Sequence, residues 1–316
     1  MKILANDGIS QSGIDDLTTA GFEVLTTTVA QEQLVTFINS ENIVALLVRS
    51  ATTVRQDLID ACPGLKIIGR GGVGMDNIDV AYAREKGLNV INTPAASSES
   101  VAELVFAHLF SGVRFLYDSN RSMPLEGEKK FKNLKKAYAK GTELRGKTLG
   151  VIGFGRIGQA TAKMALGLGM KVIAFDPFME KTTVSLSFYD GQTVDFEIKT
   201  VSKETVLKES DFITLHVPAQ KDFVIGEAEL NMMKKGAALI NAARGGVVNE
   251  VALVAALDAD KLSFAGLDTF ENEPTPAVQI LMNSKISLTP HIGAATNQAQ
   301  DRIGSELASQ IISILK

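Results

Sequence analysis

The sequence predicts an α/β protein of two doubly wound parallel-sheet domains, one inserted into the other. Three observations carry this. Short apolar runs alternate with helix-patterned stretches between Ile3 and Ile91; a glycine-rich turn, Gly153-Phe-Gly155-Arg-Ile-Gly158, opens a second series; and the alternation then continues to Thr289. With 316 residues and 45% hydrophobic composition, the chain has enough apolar material for two cores.

The elements follow in order. Ile3–Ala5, Phe22–Leu25, Ile43–Val48, Leu65–Ile68 and Leu88–Ile91 read as strands, separated by helical spacing over Ser12–Ala20, Gln31–Ile38, Arg55–Ala61 and Ile78–Lys86. Strands alternating with helices imply a parallel sheet covered on both faces. A strongly apolar helix is expected over 98–117, carrying Val101, Leu104, Val105, Leu109, Val113 and Leu116 and bridging the two domains. Lys129 to Lys147 is rich in lysine, with Phe131, Leu134 and Tyr138 interleaved, and reads as a solvated or subunit-spanning arm or as an anion-binding patch. The second series has strands at Thr148–Ile152, Val172–Phe175, Phe212–Val217, Ala237–Asn241, Ser263–Leu267 and Ile286–Thr289. Alternation on both sides of Asp190-Gly191 predicts a β-hairpin inserted at about 184–198, beside an adenosine pocket. The last helix, Gln298–Leu315, should pack back on the first domain. Residues 1–95 and 291–316 would then form one domain and 96–290 the other.

The central turn has the context of a dinucleotide site: an apolar strand before it, a helix after it, a second strand, and the acid Asp176 about 20 residues on. Gly153 permits the tight turn, Gly155 lets a pyrophosphate approach the backbone, and Gly158 lets helix and strand pack closely. The helix N-terminus offers unpaired N–H donors to phosphate. Asp176 suits a ribose diol and repels a 2′-phosphate, and Pro177, Phe178 and Met179 supply no arginine to hold one, so NAD is expected over NADP.

Composition narrows the partners. A net charge of -4 gives no reason to expect nucleic acid or membrane as a bulk partner. No apolar run reaches the roughly 18 residues of a membrane span, and Met1-Lys-Ile-Leu enters a strand pattern at once, so a cytoplasmic protein is expected. Cys62 is the only cysteine, which leaves no disulfide framework and no cysteine-based metal site. It precedes Pro63 at a helix exit and reads as inert.

Hydride chemistry on a hydroxy acid needs a base for the hydroxyl proton, a carboxylate to orient that base, and a cation for the substrate carboxylate or ketone. His291 in Leu288-Thr-Pro-His291, Glu273 in Leu267-Asp-Thr-Phe-Glu-Asn-Glu273-Pro, and Arg244 in Ile240-Asn-Ala-Ala-Arg244-Gly-Gly each follow an expected strand. Open α/β sheets bind ligands at those carboxyl ends. With Val48-Arg-Ser-Ala-Thr52, Gly69-Arg-Gly-Gly-Val-Gly-Met-Asp-Asn-Ile-Asp79 and Asn92-Thr-Pro94, these motifs resemble the D-isomer-specific 2-hydroxyacid dehydrogenase family over essentially the whole chain. The resemblance implies a flavodoxin-like substrate domain and an inserted Rossmann NAD domain. It implies His291 as acid/base, Glu273 as its partner, with Glu271 the competitor, and Arg244 as substrate clamp. It also implies an NAD site lined by Arg156, Ile157, Val217, Ala242, Asp268 and Gly293, with Asp268 near the carboxamide. His108 reads as structural, and His216 as at most approaching the cofactor.

Within the family, the chain is most similar to members that oxidise D-3-phosphoglycerate at the head of serine biosynthesis. Arg49 and Arg70 resemble phosphate-contacting arginines, and the Gly71-Gly72-Val73-Gly74 turn would offer backbone N–H groups to a carboxylate. Where the family usually shows Asn-Thr-Pro-x-Gly-Asn-Ser, this chain has Asn92-Thr-Pro-Ala-Ala-Ser97-Ser98, so Ser97 replaces a substrate-side asparagine. That departure keeps glyoxylate, hydroxypyruvate or a larger 2-keto acid open as substrate, and an NAD-sensing co-repressor-like binder is the reading from a different class. The bridging helix and basic arm favour a homodimer. The chain stops at Lys316 without the regulatory domain of longer members, so serine inhibition through such a domain is not expected.

Overall fold

The computed structural model describes all of Met1–Lys316 and divides into two compact units: Met1–Ser100 with Ala294–Lys316, and Val101–Gly293. In the first unit, β1 (Lys2–Ala5), β2 (Glu23–Leu25), β3 (Ile43–Val48), β4 (Ile67–Arg70) and β5 (Asn89–Asn92) form one parallel sheet in the order β2-β1-β3-β4-β5. This is the flavodoxin-like order, which reverses between β1 and β3. The apolar run Ile-Val-Ala-Leu-Leu-Val of β3 is buried at all but one position, as a strand covered on both faces requires. Helix Gln11–Thr19 starts where the Ser10 hydroxyl accepts from the Gly13 amide. The C-terminal helix Asn297–Leu315, capped by Thr296, crosses it at Gly13 and Gly304, where a Cβ on Gly13 would come within 2.9 Å of the Gly304 backbone.

One shift in this unit bears on the site. β4 begins at Ile67, not Leu65, because the Leu65 amide still closes the turn to the Cys62 carbonyl. Arg70 therefore becomes the last residue of β4. Val48 of β3 is its register partner, so Arg49 leaves β3 one residue beyond the level at which Arg70 ends the neighbouring β4.

The second unit is built on β6 (Thr148–Ile152), β7 (Lys171–Phe175), β10 (Phe212–Leu215), β11 (Ala237–Asn241), β12 (Leu262–Leu267) and β13 (Ile286–Leu288), with β8 (Lys181–Ser187) and β9 (Thr193–Lys199) as a separate antiparallel hairpin. The large sheet is parallel, in the order β13-β12-β11-β10-β6-β7, and reverses between β6 and β10. Two cores flank it. One is centred on Leu215, Leu239, Leu253 and Leu257, the other on Leu109, Val151, Phe154 and Phe264. The hairpin turns at Asp190-Gly191, where Gly191 has φ +86°, and buries Val184. Beyond β7 the sheet gains only a single bridge, Ala174 to Thr200, at the foot of that hairpin.

The bridging helix is shorter than its apolar pattern suggests. It runs Ser98–Val113, Phe115 takes a left-handed φ of +56°, and a second helix, Leu116–Ala137, follows with non-helical backbone at Lys130. A non-glycine residue at positive φ ends a helix whatever the apolar spacing beyond it. The basic stretch read as an arm is therefore helical as far as Ala137. The units divide at Ser100 and Gly293 rather than at 95 and 290, which places His291 with the second unit. Hydrogen bonds from the Ile292 and Gly293 amides to Asp268 tie that segment to β12.

Candidate active site

The dinucleotide turn has the space its glycines imply. Gly153 has φ +89°, and a Cβ there would overlap the His216 carbonyl. On Gly158 a Cβ would overlap the Gly153 carbonyl, so the helix Arg156–Gly167 lies against the strand end only because position 158 is bare. At Gly155 a Cβ would meet nothing within 4 Å, and this N-cap has no side chain to satisfy the first-turn amides. An open surface over unpaired N–H donors is what a pyrophosphate requires. Arg156 is exposed and Ile157 half-buried at the same turn. Asp176, just past β7, accepts from the Phe154 amide at 2.8 Å and from the Phe178 amide at 2.9 Å. Its carboxylate is thereby held at the turn, with lone pairs left for a ribose diol. Val217, half-buried, follows β10, which ends at Leu215 rather than Val217; Ala242 is buried after β11. These residues fit NAD.

At the carboxyl ends of β11, β12 and β13 stand the polar side chains with chemistry to offer. His291 has φ +55° and directs Nδ1 to Glu273 Oε2 at 2.8 Å. A carboxylate only accepts, so Nδ1 carries the proton and Nε2 of the neutral ring is the base. The His291 side chain is 47% exposed. Glu273 is itself aimed, because its other oxygen accepts from the Phe270 amide at 3.0 Å. Glu271 is engaged elsewhere: it accepts from the Glu250 amide at 2.7 Å while Glu250 accepts from the Glu271 amide at 2.8 Å. Burial raises the Glu250 pKa, and the nearby Glu271 and Glu273 charges add to that.

Arg244 is half-buried and donates through Nη1 to the Ala243 carbonyl at 2.7 Å. Its loop is shaped by Asn241, which donates to the Arg244 carbonyl at 2.9 Å and accepts from the Ala243 amide at 3.1 Å. Bare Gly245 runs against the Phe270 carbonyl, so the loops bearing Arg244 and Glu273 are in contact. Asp268, 1% exposed, accepts three hydrogen bonds: Thr289 Oγ1 at 2.7 Å and the Ile292 and Gly293 amides at 2.8 Å each. Asp268 thus pins both flanks of His291, and neither this task nor that of Asn241 shows in a linear spacing.

In the first unit, the loop bearing Arg49 is clamped. Asp7 accepts from the Arg49 amide at 2.6 Å, from the Thr52 amide at 3.1 Å and from the Thr52 hydroxyl at 2.6 Å. Asn77 donates to the Arg49 and Thr52 carbonyls. Burial pulls the Arg49 guanidinium pKa down, offset in part by Asp7. Arg70 folds over Gly72, with Nη1 donating to the Gly71 carbonyl at 2.9 Å. The turn offers fewer donors than expected, because the Gly71 amide bonds Val48 and the Gly72 amide bonds Arg70. The Val73 and Gly74 amides have no backbone acceptor. Ser97 is 1% exposed, so the surface of the unit does not display its hydroxyl, whereas Arg49, Arg70 and Gly74 are half-buried and Val73 is exposed.

This site coincides with a sequence match. The family model described as "D-isomer specific 2-hydroxyacid dehydrogenase, NAD binding domain" matches residues 106–293, and a hydroxypyruvate reductase of Thermotoga maritima is 44% identical over 85% of this chain and 84% of its own length. The chain belongs to the D-isomer-specific 2-hydroxyacid dehydrogenase family. Its cofactor is accordingly NAD. A D-3-phosphoglycerate dehydrogenase of Methanocaldococcus jannaschii is 40% identical over the full chain, which spans 58% of that relative's length. Among solved structures, the TT0316 protein from Thermus thermophilus superposes with a TM-score of 0.83 at 30% identity, covering 100% of this chain and 97% of its own. Both domains of this dehydrogenase family are thus represented.

Proposed function

We propose that this dehydrogenase oxidises the C2 hydroxyl of D-3-phosphoglycerate to the ketone of 3-phosphohydroxypyruvate, the entry to serine biosynthesis. The observation that carries the substrate is the pair Arg49 and Arg70, which stand one register step apart at the carboxyl ends of the neighbouring strands β3 and β4. A half-buried guanidinium whose charge is disfavoured by burial gains most from a dianionic partner. Val73 and Gly74 supply amides beside it. NAD, held at the Gly153–Gly158 turn and by Asp176, would supply the hydride acceptor for C2. His291 Nε2 accepts the hydroxyl proton, and Glu273 keeps the ring turned and stabilises the imidazolium that forms. Arg244 holds the substrate carboxylate against the developing ketone.

The 44% identity to a hydroxypyruvate reductase favours a second reading, reduction of an unphosphorylated 2-oxo acid. NADH oxidation with phosphohydroxypyruvate, hydroxypyruvate and glyoxylate separates the two. Under the first reading, Arg49→Ala and Arg70→Ala each weaken use of the phosphorylated acid by about ten- to a hundredfold, the scale of a lost charged hydrogen bond, and spare hydroxypyruvate. Equal losses on all three acids would overturn it, and absence of turnover on any would leave an NAD-binding protein.

We infer a homodimer as well. Phe110, Leu116, Leu125 and Phe131, 41 to 85% exposed, lie on the two successive helices Ser98–Val113 and Leu116–Ala137. Apolar side chains concentrated in this way mark an association surface. Sedimentation should give twice the 33.8 kDa chain mass, and a monomer at micromolar concentration would refute the inference.

A further inference from the structure

Among the buried titratable side chains that family membership and the acid/base pair leave unused, one reaches the strand ends that carry the site. His108 sits on helix Ser98–Val113, 2% exposed, and its ring lies over β12 at Gly266, where a Cβ would come within 2.7 Å of His108 Cβ and 2.9 Å of its Cγ. Gly266 is the register partner of Ser287 on β13. The ring thus lies across the two strands whose ends carry Asp268 and His291.

Both ring nitrogens are engaged. Nδ1 is 2.9 Å from Ser287 Oγ and Nε2 is 3.0 Å from Thr289 Oγ1. Thr289 has a single hydroxyl proton, and it goes to Asp268 at 2.7 Å. Its oxygen must therefore accept from His108, which puts the ring proton on Nε2 and leaves Nδ1 to accept from the Ser287 hydroxyl. A directed chain results: Ser287 donates to His108, His108 to Thr289, and Thr289 to Asp268. Asp268 in turn receives the amides of Ile292 and Gly293, which immediately follow His291. The Thr289 carbonyl also accepts the His291 amide at 3.1 Å.

We propose that His108 is a positioning residue for the dehydrogenase reaction: as a neutral Nε2–H tautomer it fixes the Thr289 hydroxyl on Asp268 and so holds the left-handed turn that presents His291. The ring neither touches substrate nor exchanges protons with it. His291 sits at positive φ, a conformation a non-glycine residue keeps only when its surroundings over-determine it, and the Asp268 clamp is the part of those surroundings that His108 completes. His108 also couples the long helix mechanically to the catalytic turn, through side chains rather than through the sheet.

The proposal rests on His291 being the acid/base group, and the test keeps the two apart. His108→Phe fills the space without a donor, whereas His108→Gln restores an N–H at the Nε2 position. We expect His108→Phe to lower kcat by about ten- to a hundredfold, the cost of a catalytic group displaced by an ångström or less, with the 2-oxo acid KM little changed. His108→Gln should recover most of the loss. Thr289→Val, which breaks the same chain one step on, should reproduce the Phe phenotype without touching the helix. In the unaltered protein, nitrogen-resolved NMR of the histidine rings should find His108 protonated on Nε2 alone. A proton on Nδ1 would overturn the proposal, as would full kcat in His108→Phe or equal losses in the Phe and Gln variants. Full turnover in His291→Asn would instead remove the acid/base reading, a result distinguishable because the tautomer measurement does not depend on it.

Discussion

Replacing His291 with Asn is expected to lower kcat in both directions by about a hundred- to ten-thousandfold, the range a positioned general acid or base contributes. The argument is geometric. Glu273 Oε2 lies 2.8 Å from Nδ1 and accepts its hydrogen bond, so the lone pair of the neutral ring is confined to Nε2. An asparagine side chain can keep a hydrogen bond to Glu273 but has no basic nitrogen to offer beyond it. The loss should appear equally in kcat and kcat/KM, because the proton is transferred only in the transition state. Cofactor affinity, measured by quenching of NADH fluorescence, should change little, since the pyrophosphate turn at Gly153 to Gly158 lies on a different strand end. Turnover near that of the unaltered enzyme would show that another group takes the proton.

Acid should unfold this protein earlier than its carboxylates require. Burial pushes the His216 ring down to about 3 and lowers His108 in the same direction, the Asp268 charge only partly opposing the second shift. A histidine whose folded pKa lies below its unfolded value takes up its proton on unfolding. The stability it contributes is complete above about pH 6.5 and is lost as pH falls from there toward the folded pKa. A shift of several pH units in one group amounts to a few kcal/mol. Carboxylates held low by hydrogen bonds from lysine, such as Asp60 with Lys86 and Asp260 with Lys285, begin to lose their contribution only near pH 4 and below. Glu250, raised by burial, acts in the opposite sense. Urea midpoints measured between about pH 7.5 and 4 should therefore fall, and fall less steeply in His216→Gln. The same slope in both proteins would assign the acid sensitivity elsewhere.

The reason His216 is so far displaced is itself structural. Its Nε2 meets Thr214 Oγ1 at 3.1 Å, while Nδ1 is sealed from solvent with no partner. Its carbonyl is the group against which Gly153 packs. A charged ring there would stand beside the dinucleotide turn without a counter-ion, which explains why burial dominates.

Much of this was legible in the linear chain because parallel strands buried on both faces leave continuous apolar runs, and because a glycine fingerprint repeats a local backbone need. β6, β11 and β3 match their expected ranges residue for residue. Glu273 and His291 could be singled out because each follows a strand that ends in polar, turn-forming residues. What misled was apolar spacing carried past a backbone reversal: Val113 and Leu116 keep helical spacing across Phe115, whose positive φ no periodicity reports. Likewise, the Gly71 and Gly72 amides looked available in a glycine-rich turn but are consumed by Val48 and Arg70.

By itself, then, the sequence determined the two sheets, the dinucleotide turn and the short list of reactive side chains, since those depend on local periodicity and on residue chemistry. Only the tertiary structure decided which carboxylate meets His291, how Asp268 and Asn241 shape the catalytic loops, and that a histidine far earlier in the chain reaches the same turn. Those choices depend on single hydrogen bonds between strand ends and helices distant in sequence. Such bonds carry direction and proton count, and neither quantity is encoded in the spacing of residues along the chain.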